Sequence, residues 1–517
     1  MRNGAQNLIR TLVAGGVDVC FTNPGTSEMH FVAALDQVDG MRAVLCLFEG
    51  VCTGAADGYA RMMGKPASTL LHLGPGLGNG FANLHNARRA QSPIVNIIGE
   101  HATYHIDLDA PLTTDIEGIA QHASKWVRTT MSPDEISRDT ADAITASLTD
   151  PGQIATLILP GDSSWNPTTA SLVVPQAPPV PTFDMEAVRH SAEIIQRGEP
   201  TLILMAGKAV LDDGAKWASR IAQVSNVELM SNRPTARRQL GAGRPIIKAL
   251  AYPVNQSLNQ LKEFKHIILV GTAQPVAFFA YPNKPGKLAP EGCEVHTLAM
   301  PEEDVVGALA ALAETLGASA ETPLHAQYGN NPPPLPTGTL TIPSVWQSVA
   351  AQLPDQTIIV NESLTSGRGS AKYLSNVPQH DMLYGTGGAI GHGLPQSVGA
   401  AVACPDRQVI NMQADGSAMY TISALWTFAR ENLDIISVIW NNRAYKILQG
   451  ELDNVGAVRH GTKADSILNL DNPQLDFVQI AQGMGVEASR ADSADAFNDQ
   501  FAAALAKKGP HLIEVLV

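Results

Sequence analysis

Cysteine is scarce in this chain, charge is sparse, and neither is arranged for a specialised role. The five cysteines (Cys20, Cys46, Cys52, Cys293 and Cys404) form no CxxC pair and no His/Cys ligand spacing. A scattered, odd set of this kind reads as reduced core thiols in a reducing compartment and excludes a disulfide framework. Only 16% of residues are charged, 35 basic against 49 acidic, and no basic block offsets the net charge of −14. That balance argues against nucleic acid as a partner. No apolar run is long enough to span a bilayer, and the opening Met1–Gln6 lacks the apolar core of a secretion signal. The expectation is a cytoplasmic protein with neither membrane nor nucleic-acid partners.

What the chain does have is apolar material, 44% of 517 residues, enough for several cores. Domains usually run to about 100–200 residues, which makes three the natural expectation. Two proline-rich passages supply the divisions. One is Val174–Pro181, with prolines at 175, 178, 179 and 181, and the other runs from Asn331 to Pro343. Proline clusters favour extended linkers over packed elements. The expected domains are therefore 1–174, 183–330 and 344–517. Short apolar runs such as Thr69–His72, Ile94–Ile98, Thr201–Met205, His266–Val270 and Ile435–Trp440 read as strands, and alanine-rich stretches such as Val306–Leu316 read as helices. Strands and helices alternating at this interval predict three successive α/β units with parallel sheets. Such sheets bind ligands at the carboxyl ends of their strands.

The sharpest signal is Val409-Ile-Asn-Met-Gln-Ala-Asp415-Gly416-Ser417, followed 27 residues after Asp415 by Asn442 in Trp440-Asn-Asn442. A strand ending at Asp415, a Gly-Ser turn opening a helix, and a second strand ending at Asn442 would bring two hard oxygens together above adjacent parallel strands. Two such oxygens and a loop carbonyl can hold Mg²⁺ with positions left for phosphate. The Gly416 and Ser417 amides would face a diphosphate from a helix N-terminus. The spacing matches the thiamine-diphosphate motif, GDG followed by NN, except that Ala414 stands where the first glycine is usual. The plainer reading is an ordinary Asp-Gly turn and an Asn-Asn loop end.

A second signal is Glu49, which directly follows the apolar run Ala43–Phe48 and precedes Gly54-Ala-Ala-Asp57-Gly58-Tyr59-Ala60-Arg61. The commoner fate of a strand-end glutamate is to reach solvent. A carboxylic acid kept neutral by an apolar site can instead hydrogen-bond N1′ of an aminopyrimidine and favour its imino tautomer. That tautomer removes the proton from thiazolium C2.

On these residues the whole chain resembles the pyruvate oxidase, acetolactate synthase and benzoylformate decarboxylase family. The resemblance implies pyrimidine-binding, central and diphosphate-binding domains, with thiamine diphosphate and Mg²⁺ as cofactors. Phe21–Glu28 resembles the family's first loop against the pyrimidine, which assigns Asn23, Pro24, Gly25 and, near the later glycine-rich stretch, Asn79 to the cofactor. Val360–Ser366 resembles the diphosphate loop of benzoylformate decarboxylases, with Leu364 giving backbone and Thr365 its hydroxyl. Gly387–Gly391 resembles the segment in which the Gly388 carbonyl accepts from the 4′-amino group and Ile390 bends the cofactor. Tyr445 would touch the diphosphate beside Gly416 and Ser417. Asp415, Asn442 and the Ala444 carbonyl would ligate Mg²⁺. The family's sites form between subunits, which implies at least a homodimer and commonly a tetramer.

The reaction is less sharply written. His72, in Leu70-Leu-His72-Leu-Gly-Pro-Gly76-Leu-Gly78-Asn79, is either structural or a proton relay above the thiazolium, as the likeness to benzoylformate decarboxylases implies. Thr26 stands where those enzymes place a serine for the substrate carboxylate. Their second histidine has no counterpart in Ala277-Phe278-Phe279-Ala280-Tyr281-Pro282. Gly74–Gly80 is not taken as a dinucleotide fingerprint, because the next strand is expected to close on Asn96-Ile-Ile-Gly99 with no acidic residue. His101, His105, Asp107, Asp109, Asp115 and Glu117 form a polar loop that reads mainly as solvated. Ile447 would narrow the pocket, Leu448 stands where pyruvate decarboxylases carry an acid, and Glu451 is a charge without an assigned role. Val270–Phe278 has nothing like the flavin-binding stretch of acetolactate synthases, so no FAD is expected. The expected function is a 2-oxo acid decarboxylase of the benzoylformate decarboxylase kind. An acetolactate synthase-like carboligase and a non-catalytic, regulatory relative are the alternatives.

Overall fold

The computed structural model describes residues 2–325, 329–457 and 461–517. Three sheets follow one another along the chain, each wrapped by helices. The first has six parallel strands in the order Arg42–Leu45, Val19–Thr22, Ala67–Leu71, Ile94–Glu100, Ile154–Pro160, Trp126–Thr129. The second has five, in the order Lys248–Ala249, Val227–Ser231, Thr201–Met205, His266–Val270, Glu294–Ala299, again all parallel. The third has seven: Arg237–Leu240, His380–Tyr384, Thr357–Glu362, Val409–Ala414, Ile435–Asn441, His511–Leu516, Glu487–Ala491. Six of these run parallel and Arg237–Leu240 pairs antiparallel at the edge. The expected architecture of three successive parallel-sheet α/β units is what the chain adopts. Central strands such as Ile154–Pro160 and Ile435–Asn441 are buried along their whole length, which is why they read as unbroken apolar runs.

One contact organises the molecule around its site. The helix Glu49–Met63 lies against Gly393–Ala403 so closely that a Cβ at Gly54, Gly58 or Gly399 would fall 2.5 Å from Pro395 Cβ, 2.2 Å from the Gln396 carbonyl oxygen and 1.9 Å from the Ala55 carbonyl oxygen. Glycine at these points lets the backbones touch, and this joins the first and third units. Beside the contact, Arg61 forms a bidentate ion pair with Asp57 (2.8 and 2.7 Å), and the other Asp57 hydrogen bonds come from Ser92 and Gln396. Arg61 also donates to the Tyr384 and Ala236 carbonyls and the Thr386 hydroxyl, so one buried pair binds all three units.

Candidate active site

Asp415 opens a one-turn helix, Asp415–Ala418, immediately after the strand Val409–Ala414. The neighbouring strand ends at Asn441, in parallel register Ala414↔Trp440, and so delivers Asn442 beside the aspartate. Ala414 has φ −78° and ψ 147°, extended backbone open to any residue, so alanine fits where the motif has glycine. The helix is shorter than the sequence suggests: residues 419–423 interrupt it before Ala424–Arg430, and the donors offered to an anion are the amides of a single turn.

Asp415 is 2% exposed, and burial pushes its carboxyl up while the surrounding backbone N–H groups pull it back. Its oxygens accept from the Gly416 amide (2.8 Å) and the Arg443 amide (2.7 Å). The Asn442 side-chain oxygen accepts from the Ala444 amide at 3.0 Å, and the Tyr445 backbone N–H donates to the Leu468 carbonyl. The Tyr445 ring lies where a Cβ on Gly416 would be, 2.5 Å away, so that turn admits only glycine. Carboxylate, amide oxygen and loop carbonyl make a donor set of hard oxygens that suits Mg²⁺. Ser417 is buried, its hydroxyl accepting from Gln413 at 2.7 Å.

Glu362 was not foreseen from sequence. Fully buried at the end of Thr357–Glu362, it accepts from the Gly391 and Gly393 amides, both at 2.6 Å, and from Gln413 at 3.0 Å. It therefore links the Gly387–Gly391 loop to the Asp415–Ser417 turn. The same loop is gripped from the other side by the helix Leu73–Ala90. His85 meets the Gly387 carbonyl, Asn86 donates to the Ala389 carbonyl and Asn83 to the Gly391 carbonyl. Among the described residues no donor reaches the Gly388 carbonyl, the one the resemblance reserves for an amino group. Gly388 has φ +81° and is exposed, with the Phe278 ring on the side where a Cβ would project, while Ile390 stands half-exposed nearby. Leu364 (φ +47°) and Thr365 follow Glu362 in a single 3₁₀ turn, both half-buried.

At the first unit, Glu49 begins its helix nine-tenths buried, and Asn79 donates to its carboxylate at 3.0 Å. A Cβ on Gly76 would lie 3.2 Å from the same carboxylate. The glycine-rich stretch that reads as a turn is instead the start of an 18-residue helix, Leu73–Ala90, in which Gly76 makes room for Glu49. The strand before the polar loop also runs further than expected, to Glu100, so an acidic residue does end it. That carboxylate turns back to the His101 amide at 2.6 Å.

Asn23, Pro24 and Gly25 form the loop after Val19–Thr22, and Thr26 is exposed at the head of a one-turn helix, Thr26–Glu28. His72 leaves the strand Ala67–Leu71 to meet Glu28, Nδ1 to Oε2 at 2.9 Å. Glu28 has a buried side chain and also accepts from the Gly25 amide. Burial pushes the Glu28 carboxyl up, and the His72 charge pulls it down. Glu28 lay inside the quoted loop without a role, because its partner is 44 residues away in sequence. Of the polar loop, the His101 and His105 rings lie tilted against each other at 5.3 Å, whereas Asp115 caps Gly118 and Glu117 accepts from Thr129, both local roles. Glu451 sits on the helix Lys446–Asn454 beside Tyr281 and Tyr252. Burial and this carboxylate push both phenols up.

An α/β molecule with a buried acid and amide at adjacent strand ends, a freed carbonyl loop and a Glu–Asn pair is organised as an enzyme that binds a diphosphate cofactor. Residues 2–126 match the family model for the thiamine pyrophosphate enzyme N-terminal TPP binding domain, and residues 366–515 match that for the C-terminal TPP binding domain. The chain is 50% identical over its full length, and 99% of the relative's, to "Putative acetolactate synthase large subunit IlvX" of Mycobacterium tuberculosis. It is 29% identical to benzoylformate decarboxylase of Pseudomonas aeruginosa across 97% of this chain and 96% of that one. The fold matches a thiamine diphosphate-dependent 4-hydroxybenzoylformate decarboxylase from Rhodococcus jostii, with TM-score 0.86, 24% identity, and 100% and 99% of the two chains covered. This chain belongs to the thiamine pyrophosphate enzyme family, in its acetolactate synthase and benzoylformate decarboxylase branch.

Proposed function

We propose that the protein is a thiamine-diphosphate- and Mg²⁺-dependent, flavin-free decarboxylase of a 2-oxo acid. The observation that carries the reading is Asp415, a buried carboxylate whose partners are backbone N–H groups, at a strand end beside the one that delivers Asn442. A buried anion without a cationic partner is costly unless an ion completes it. Asp415, Asn442 and Ala444 would hold Mg²⁺. Gly416, Ser417, Leu364, Thr365 and Tyr445 would hold the diphosphate. The Gly388 carbonyl would accept from the 4′-amino group, with Ile390 supporting the bent cofactor and Asn23, Pro24, Gly25 and Asn79 against its pyrimidine.

When bound, the cofactor would supply a nucleophilic thiazolium carbon and an electron sink for the pair left behind when CO₂ departs. Glu49 holds a proton at N1′ of the pyrimidine. His72, kept in place by Glu28, would move a proton to or from the substrate, and Thr26 would offer its hydroxyl to the substrate carboxylate. In this reading residues 1–174, 183–330 and 344–517 are the pyrimidine-binding, central and diphosphate-binding domains. Glu49 of one subunit serves the Asp415 cluster of another, an arrangement that suits the exposed Leu47, Met419 and Tyr420.

The 50%-identical relative favours a second reading, a carboligase that passes the decarboxylated fragment to another carbonyl. Screening 2-oxo acids for CO₂ release, with and without an acceptor aldehyde, separates the two. Glu49→Gln should retain cofactor binding and lose C2 proton exchange; unchanged exchange would sink the assignment of Glu49.

A further inference from the structure

The second unit carries an imidazole and carboxylate cluster at the strand ends opposite those where α/β sheets bind their ligands. His266 begins the strand His266–Val270, and Glu294 begins the neighbouring edge strand Glu294–Ala299, in register His266↔Glu294 and Ile268↔His296. Side chains two residues apart on a strand share a face, so Glu294 and His296 project together over the side where His266 lies. His190, on the helix Met185–Gln196, brings its ring to 5.1 Å from that of His296.

Hydrogen bonding fixes the orientation of His266. It is 3% exposed, and its Nε2 meets the Glu199 carboxylate at 3.0 Å. With Nε2–H donated to Glu199, Nδ1 keeps its lone pair. That Nδ1 is buried, has no hydrogen-bond partner among the described residues, and lies 3.3 Å from Glu294 Oε2. His296 Nε2 is likewise buried and unpartnered, 3.7 Å from the same oxygen. Two imidazole nitrogens thus converge on one carboxylate oxygen without a hydrogen bond to it, and all three ligand atoms lie within 4.8 Å of one another. Tetrahedral Zn²⁺ has metal–ligand bonds of about 2.0–2.2 Å, which place neighbouring donors roughly 3.3–3.6 Å apart. A ligating histidine that gives its other ring N–H to a carboxylate is the usual outer arrangement of such sites.

We propose that His266 Nδ1, His296 Nε2 and Glu294 form a Zn²⁺ site, with Glu199 orienting His266 and with water or His190 as fourth ligand. The ion ties the edge strand to its neighbour. The site is separate from the cofactor cluster and does not depend on the reaction assigned above.

The test uses the full chain, stripped by chelator and then held in saturating thiamine diphosphate and Mg²⁺ so that the Asp415 cluster takes no added ion. Titrated Co²⁺ should bind at one per chain, give the visible absorption of a tetrahedral centre, and be displaced by Zn²⁺. His296→Ala, at a partly buried position, and Glu294→Gln, at an exposed one, should abolish that absorption while thiamine diphosphate still binds. Glu199→Gln should weaken Co²⁺ about 10-fold or more, as loss of an outer carboxylate does. Absence of saturable Co²⁺ uptake by the wild type, or absorption unchanged in His296→Ala, overturns the proposal.

Discussion

Replacing Asp57 by alanine would leave the Arg61 guanidinium inside the protein with no anion beside it. Both side chains are almost fully buried, 2% and 1% exposed, and the pair is bidentate at 2.7–2.8 Å. Removing one partner of a buried pair costs about 3–5 kcal/mol, because the remaining charge has lost its compensation. Here Ser92 and Gln396 lose an acceptor as well, which places the loss toward the upper end of that range. Asp57→Ala/Arg61→Met should recover a large part of the loss, since it removes the stranded charge. The assay is urea unfolding followed by far-UV circular dichroism for the wild type, both single variants and the double variant. An Asp57→Ala loss below about 1 kcal/mol, the range of an exposed pair, would refute the reasoning. So would a double variant as weak as the two single losses added together.

Gly399→Ala should destabilise by about 1–3 kcal/mol through overpacking against the Ala55 carbonyl, read as a lower urea midpoint with unchanged secondary structure. Gly99→Ala places a Cβ 1.6 Å from Glu28 Oε1 and should displace Glu28 from His72. If His72 moves a proton, kcat falls on the order of 10²-fold with cofactor affinity intact; an unchanged kcat makes His72 structural. Burial holds the pKa of His380 below the ordinary imidazole value of 6.5, with Arg238 adding to the effect and Asp381 and the Pro378 carbonyl opposing it. The unfolded chain then binds this proton more readily, so stability is present above 6.5 and is lost as pH falls toward the folded value. Unfolding midpoints measured across that range should slope less in His380→Gln than in the wild type.

The buried strands were legible because both their faces are apolar, and Thr201–Met205 and His266–Val270 fall where their sequence places them. The Asp415–Asn442 pairing was legible because a helix-plus-strand crossover has a nearly fixed length. Arg237–Leu240 was not: Arg-Arg-Gln-Leu has no strand pattern, and it becomes a strand because His380–Tyr384 offers an edge and Asp381 binds Arg237 at 2.7 Å. Glu28 and Glu362 were silent for a similar reason. The decisive partners, His72 for Glu28 and the Gly391 and Gly393 amides for Glu362, are distant in sequence, and nothing local marks either acid for them. The glycines after His72 misled, since a helix normally disfavours them, yet here Gly74, Gly76 and Gly80 leave space for Thr114, Glu49 and Thr53.

That borrowed antiparallel strand limits how the protein can be taken apart. Cutting at the second proline passage would strip the C-terminal unit of its outermost ribbon and bare a row of backbone donors and acceptors along His380–Tyr384. Exposed rims of this kind recruit foreign chains. The last third of the molecule is therefore not a portable module, and domain-shuffling experiments need to carry residues 237–240 with it.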